Sequence, residues 1–355
     1  MLLLCAFGAR AHVVYGTKTL HGLIAEADLV LRARIVAVEE DLAALGGAPG
    51  ASRPTVEAEV LEVLKGGLDA PRVRFAQHGH GVVQFEPGGE TLLFLIGIAR
   101  SRELDALGQA GSHAWVSLQE HEDEYPLDAP TRDRLLAVAQ AYVVADTAAS
   151  SEARQAALRR ATLGLLTSGD PRLAASAVRD LVLAPGASLV GPEDGPALLA
   201  VLDDPKISMG VRVALLVELE RRGIVEGPPL WLRLLSAEAP PRDRAIAIRA
   251  AAGSASGPVR ARLIALVADP DVEVAAAAAA ALGTPGRRDA VAPLVGALSR
   301  ESESVRMSAI RGLGRIATPE AERALESAAS SHPDPQTRRR ARAEVRKLGA
   351  ARPGG

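Results

Sequence analysis

One spacing limits this 355-residue chain more than any other feature. Asp-Pro dipeptides begin at Asp170, Asp204, Asp269 and Asp334, which are 34, 65 and 65 residues apart. These intervals are one, two and two units of roughly 32–34 residues. A second landmark, an apolar residue eight before a leucine, falls at Leu173/Leu181, Val211/Leu219, Val274/Leu282 and Val305/Leu313. Two landmarks with one period predict helix–turn–helix units that stack, because no such unit can bury its apolar face alone. The helical periodicity predicts the pairs 153–167/172–183, 195–203/208–222, 228–236/241–252, 257–268/271–282, 288–299/302–315 and 318–330/336–348, with a capping helix at 131–147. Each Asp-Pro suits a stop and restart, since proline fits only the first turn of a helix and aspartate caps the amides that follow.

The composition of this region fits stacking. Of the nine aromatic residues, Phe7, Tyr15, Phe75, Phe85, Phe94, Trp115 and Tyr125 precede residue 129, and only Tyr142 and Trp231 follow. The core there must be built from Ala, Leu, Val and Ile. Residues Ala275–Ala281 are seven consecutive alanines. Alanine is the best helix former, and small side chains allow the closer end of the usual interhelical range of about 8–10 Å.

Before residue 129 the period is two. Leu29, Leu31, Ala33 and Ile35 alternate with Arg32 and Arg34, as in a half-buried strand. Val56, Ala58 and Val60 alternate with Glu57 and Glu59, and Val73 and Phe75 with Arg72 and Arg74. Val82–Phe85, Thr91–Ile98 and His113–Leu118 are further strand candidates, with turns at Lys65-Gly66-Gly67 and Pro87-Gly88-Gly89 and a short helix at Thr17–Ala27. The expected fold is therefore α+β in separate domains. A small antiparallel β-barrel or sandwich over residues 12–128 precedes an all-α solenoid over 129–350.

Both halves carry a family resemblance. The strand Ala27-Asp28-Leu29-Val30-Leu31, the run Val60-Leu61-Glu62-Val63-Leu64-Lys65-Gly66 and the segment Pro87-Gly88-Gly89-Glu90-Thr91-Leu92-Leu93-Phe94-Leu95 resemble the small OB-type barrel, netrin-like in shape, of exported bacterial proteins. Inhibitors of that superfamily chelate a protease metal through an N-terminal cysteine. This chain has His12 after the cleavage site inferred below, so that mechanism is not implied. Asp269-Pro270-Asp271-Val272-Glu273-Val274, Val291–Leu298 and Ser304-Val305-Arg306 through Gly312-Leu313-Gly314 resemble HEAT repeats. More narrowly, they are similar to the short bacterial type named for phycobilisome bilin lyases. The resemblance implies about six repeats whose second helices line a concave binding side, here through Arg212, Arg249 and Arg311. It weakens over 190–250, where Arg244/Ala252 replaces the apolar pair.

Met1–Phe7 is apolar and Ala9-Arg10-Ala11 reads as a cleavage site. Residues 1–11 thus resemble the end of a signal peptide whose true start lies upstream, which predicts a periplasmic or secreted protein. The alternative is a cytoplasmic protein with a buried first element. Cys5 is the single cysteine, so a disulfide framework is excluded, and no apolar run is long enough to span a membrane as a helix.

Chemistry is sparse. No G-x-S-x-G, H-E-x-x-H, phosphate-loop or dinucleotide motif is present, so no catalytic residues and no cofactor are expected. His78-Gly79-His80-Gly81 would put two imidazoles on one strand face. With His113 or the acidic run 120–124 they could hold a divalent metal; the alternative reading is a polar turn. Charge is polarised, with 10 basic and 18 acidic side chains in residues 1–128 and 31 and 25 thereafter. Arg338, Arg339, Arg340, Arg342, Arg346 and Lys347 crowd one helix, either as the polar face of a terminal repeat or as a weak contact for an anionic surface. Nucleic acid is not an expected partner, because the patch lacks interleaved aromatics. The function expected is a non-enzymatic, exported interaction scaffold that binds another protein. The alternatives are a metal-binding or inhibitor-like barrel acting through His78 and His80 and, more remotely, a bilin-lyase-like enzyme.

Overall fold

The computed structural model describes residues 18–40, 54–77, 85–97, 114–118, 125–128, 131–183, 189–236, 238–254 and 256–350. The chain divides into two compact units, 1–190 and 191–355.

In the first unit, a short helix α1 (Leu20–Glu26) precedes β1 (Leu29–Glu40), β2 (Pro54–Lys65), β3 (Arg72–Ala76), β4 (Glu90–Gly97), β5 (Trp115–Ser117) and β6 (Tyr125–Pro126). The order β1-β2-β3-β5-β4 closes through a β1–β4 pairing into a five-stranded barrel, with β6 added at β4. The barrel is not wholly antiparallel: β3 and β5 run parallel, Phe75 opposite Trp115. A ring of five strands cannot alternate direction all the way round, so closure forces at least one parallel pair. Register shifts at Val30/Leu31, Arg32/Ala33 and Ile35/Ala37 coil the β1–β2 hairpin, which lets β1 pair with both neighbours.

The alternation read from the sequence sets the faces. Leu29, Leu31, Ala33 and Ile35 point into the core with Val56, Ala58, Val73, Phe75, Leu93 and Leu95. Phe85 also belongs to that core, edge-on to Phe75 at 5.5 Å, but from outside any strand. The rest of the expected strand 82–85 lies outside the described residues. Outside the barrel, Arg34 bridges Glu59 at 3.0 Å and Glu90 at 2.8 Å, its register partners on the two neighbouring strands. Cross-strand pairs of this kind are the unit of sheet stabilisation.

Helices α2 (Arg132–Thr147), α3 (Ser151–Leu166) and α4 (Pro171–Leu183) complete the first unit. Helix α1 joins them through polar contacts: the Leu20 amide donates to Ser176 Oγ at 3.0 Å, and His21 stacks on Tyr142 at 4.7 Å. The Tyr142 hydroxyl donates to the buried Asp180 at 3.2 Å. Burial pushes the Asp180 carboxyl and the Tyr142 phenol up from their ordinary pKa values. Each polar group in this cluster therefore depends on its neighbours, because an unpaired buried group is costly.

The second unit is a stack of helix pairs: α5 (Gly195–Asp203)/α6 (Met209–Arg221), α7 (Gly227–Ser236)/α8 (Pro241–Ala251), α9 (Gly257–Leu266)/α10 (Val272–Ala281), α11 (Val291–Leu298)/α12 (Glu303–Ile316) and α13 (Pro319–Ser331)/α14 (Pro335–Ala350). The second helices form a continuous layer in which α6 packs on α8, α8 on α10, α10 on α12 and α12 on α14. Equivalent positions are Leu173, Val211, Asp243, Val274, Val305 and Thr337, spaced 38, 32, 31, 31 and 32 residues. The period is thus shorter than the Asp-Pro dipeptides suggest. Those dipeptides are not equivalent to one another: Asp170 and Asp334 sit three before the register position, Asp269 five before and Asp204 seven before. Asp271 is the cap equivalent to Asp334, accepting from Glu273 N at 2.9 Å and Val274 N at 3.0 Å.

Small residues set how closely the layer packs. A Cβ on Gly312 of α12 would lie 2.9 Å from the Ala279 carbonyl oxygen of α10, and one on Gly283 would lie 2.9 Å from Gly312 Cα. We predict that Gly312→Val lowers the stability of this unit by about 1–3 kcal/mol, the cost of overpacking. Gly296→Ala, on α11 with open space around it, should be neutral or stabilising, by up to about 1 kcal/mol from helix propensity. Urea unfolding of both variants checks this.

Candidate functional site

Register positions on α6, α8, α10 and α12 have recurrent fates. The residues four, five and eight after the register position are buried: Leu215, Leu216 and Leu219 on α6; Ala247, Ile248 and Ala251 on α8; Ala278, Ala279 and Leu282 at α10; Ala309, Ile310 and Leu313 on α12. The residue six after it faces water. These positions hold Val217, 44% exposed, then Arg249, exposed, then Ala280, half-buried, then Arg311, exposed. The result is a row of accessible positions along stacked helices, set by the 3.6-residue period.

The position one after the register residue has a different role. Arg244 Nη2 reaches Asp269 at 2.6 Å, and Arg306 Nη2 reaches Asp334 at 3.2 Å while its Nε donates to Thr337 Oγ1 at 2.9 Å. These arginines tie each repeat to the turn of the next. Arg212 occupies the same position; it is buried, with Nη1 3.5 Å from the Leu202 carbonyl. Of the three arginines expected on the binding side, Arg249 and Arg311 therefore share the exposed row and Arg212 lies at the inter-repeat position. Ala275 breaks this series, and Arg300 instead reaches back to the Asp269 carbonyl at 2.9 Å. Arg244 is also the reason the repeat at 190–250 reads poorly in the sequence: its register position is Asp243, followed by Ala251, one residue before the pair that the pattern suggested.

The exposed row has one member that sequence reasoning missed. Arg315, one turn beyond Arg311 on α12, is exposed, and its stem passes over Gly283: a Cβ there would lie 3.3 Å from Arg315 Cδ. Its position ten after Val305 was the available signal. Among the described residues, neither Arg249, Arg311 nor Arg315 has a carboxylate partner; Arg311 Nη2 lies 3.5 Å from Ser308 Oγ.

On α14, Arg339, Arg340 and Arg346 are exposed. Arg338 donates to the carbonyls of His332 and Pro333, Arg342 to that of Ala329 at 3.0 Å, and Lys347 pairs with Glu344 at 2.6 Å. Half of the basic patch is thus engaged in holding its own repeat. His78 and His80 lie outside the described residues, as do His113, the acidic run 120–124 and residues 1–17. Among the described residues no group of three His, Cys, Asp or Glu side chains is placed to hold a metal, and no helix is long and apolar enough to cross a membrane.

Residues 259–346 match the family model of HEAT repeats. No curated protein matches the chain. Similar solved structures include a computationally designed armadillo repeat protein for modular peptide recognition (23% identity, TM-score 0.35, 53% of this chain and 98% of that one). A designed armadillo repeat protein in complex with the peptide (KR)4 is also similar (17%, TM-score 0.36, 62% and 100%). So is human deoxyhypusine hydroxylase in complex with glycerol (18%, TM-score 0.31, 63% and 91%).

The cap at the start of α14 carries a pH signature. The Thr337 hydroxyl and amide, with Arg306 beside them, hold the Asp334 carboxyl at about 2 against an ordinary 3.8. A folded-state pKa below the unfolded one gives stability that is present above the ordinary carboxylate range and lost as pH falls through about 2. Thermal unfolding of Asp334→Asn should therefore show a lower Tm than the parent near neutral pH, with the gap closing on acidification to pH 2.

Proposed function

We propose that this chain is an exported, non-enzymatic interaction protein whose solenoid binds another protein along the exposed row of its second helices. The observation that carries this reading is the row itself. One register position is exposed on α6, α8 and α12 and half-buried on α10, while the positions four, five and eight after the register residue are buried, and at Arg249 and Arg311 it holds long side chains that project from the layer. Rigid scaffolds with adaptable surface side chains lose little conformational freedom on binding. The match of residues 259–346 to HEAT repeats supports an interaction role at the level of fold. Export is supported by the apolar Met1–Phe7 and the Ala9-Arg10-Ala11 site. The closed five-strand order of the first unit fits the small barrel that its sequence resembles.

Photo-crosslinking in the native host tests the surface. A crosslinker at position 249 or 280 should yield one shared adduct, whereas one at Val295, exposed on the first-helix row, should yield none. Identical adducts from all three positions would contradict the assignment. N-terminal sequencing of protein recovered from the host tests export: the account predicts a mature chain beginning at His12, and a chain retaining residues 1–11 would contradict it.

A further inference from the structure

Resting on that reading of the surface, we propose that its occupant is an extended acidic segment of a partner protein, laid across α8, α10 and α12 with its carboxylates on Arg249, Arg311 and Arg315. Three observations point the same way.

The first is charge without compensation. Several arginines of this unit are answered by acids, Arg221 and Arg222 by Glu218, Arg233 by Asp203, Arg244 by Asp269, Arg260 by Asp289 and Arg306 by Asp334, while Arg242 on α8 and Arg339, Arg340 and Arg346 on α14 are exposed without one among the described residues. Arg249, Arg311 and Arg315 are exposed and have no such partner among the described residues. Arg249 and Arg315 lie in the last turns of their helices, where the dipole favours a cation. This stabilises the charges in place without neutralising them. A planar guanidinium presents a fork suited to a carboxylate.

The second is the floor. Between the arginines of α8 and α12 runs α10, whose face there holds Ala276 and Ala280, both half-buried, with the exposed Glu273 two turns before Ala280 at the helix start. An alanine floor between two arginine-bearing helices leaves a low apolar strip between cationic rims. It admits a backbone carrying small side chains and leaves its carboxylates at the edges.

The third is the pitch. The helices flanking α10 are two interhelical spacings apart, about 16–20 Å. That distance is about five or six residues of extended chain. The cations are thus too sparse to track a phosphate backbone, which carries one charge per nucleotide. The strip also holds no aromatic ring on which a base could stack.

Fluorescence anisotropy on the full chain tests the proposal. The probe is a labelled peptide with two glutamate pairs separated by five small apolar residues; the counterparts carry glutamine or lysine in place of glutamate. The acidic peptide should bind and weaken with added salt, and the counterparts should not bind. Arg249→Gln and Arg311→Gln should each weaken binding about two- to five-fold, the range for exposed ion pairs, with the double variant near the product. Ala280→Glu, which fills and recharges the floor, should abolish binding. Arg323→Gln on the first-helix row should leave it unchanged. Equal binding of all three peptides, or no effect of the paired arginine substitutions, would overturn the proposal, as would tighter binding of single-stranded DNA or of phosphatidylglycerol vesicles. If the acidic peptide fails while crosslinks from 249 and 280 persist, the surface stands and its acidic occupant does not; if both vanish, both fall.

Discussion

The close approach of successive second helices is the contact on which the rest of the solenoid depends. Gly283, Gly312 and the alanines of α10 bring α10 and α12 together until backbone meets backbone. Dispersion attraction falls steeply with distance, so a layer with few aromatics must hold by proximity rather than by large side chains. The two aromatics that follow residue 128 are both buried with their polar ends satisfied: Tyr142 on Asp180 and Trp231 Nε1 on Glu220 at 2.9 Å. The same packing makes the exposed row rigid. A helix packed on both sides presents its water-facing residues in one register, which the proposed binding surface of sparse arginines needs.

Polar chemistry at the turns keeps the repeats in phase. Arg244 and Arg306 each reach an aspartate of the following repeat, so the turn of one unit is capped partly by its predecessor. Where Ala275 removes that arginine, Arg300 supplies a bond in the reverse direction. The arginines of this solenoid therefore fall into two populations. One is bound to turn acids and backbone carbonyls and maintains the stack. The other faces water without an acid among the described residues, and includes Arg249, Arg311 and Arg315 as well as Arg339, Arg340 and Arg346 of α14. Residue type alone does not separate them; register does.

This explains what the sequence disclosed and what it did not. The period of helix pairs is legible because each unit repeats the same burial demand, and Val274 and Val305 carry it plainly. At Asp243 the register position is polar and half-buried, and the pattern there slipped to Arg244, an arginine that the packing assigns to an inter-repeat ion pair. The Asp-Pro dipeptides mark the turns but not one place in them, since a cap and a chain reversal both tolerate that pair. In the barrel, the alternation of Leu29 to Ile35 fixes the inward face, but the parallel β3–β5 pairing follows from closure, a property of the whole ring. Tyr125–Pro126 is too short for any periodicity. Phe85 joins the core by side chain alone, so its burial was foreseeable and its lack of strand pairing was not.

Native-state hydrogen exchange on the full chain tests the central claim, that the alanine helix is held by close packing against both neighbours. An isolated helix of about ten residues is marginal in water, so protection of α10 reports on packing. The account predicts that the Ala277–Ala280 amides exchange together with those of α8 and α12, through one cooperative opening of the layer. Exchange of α10 near the rate of an unstructured peptide, or well before its neighbours open, would contradict it.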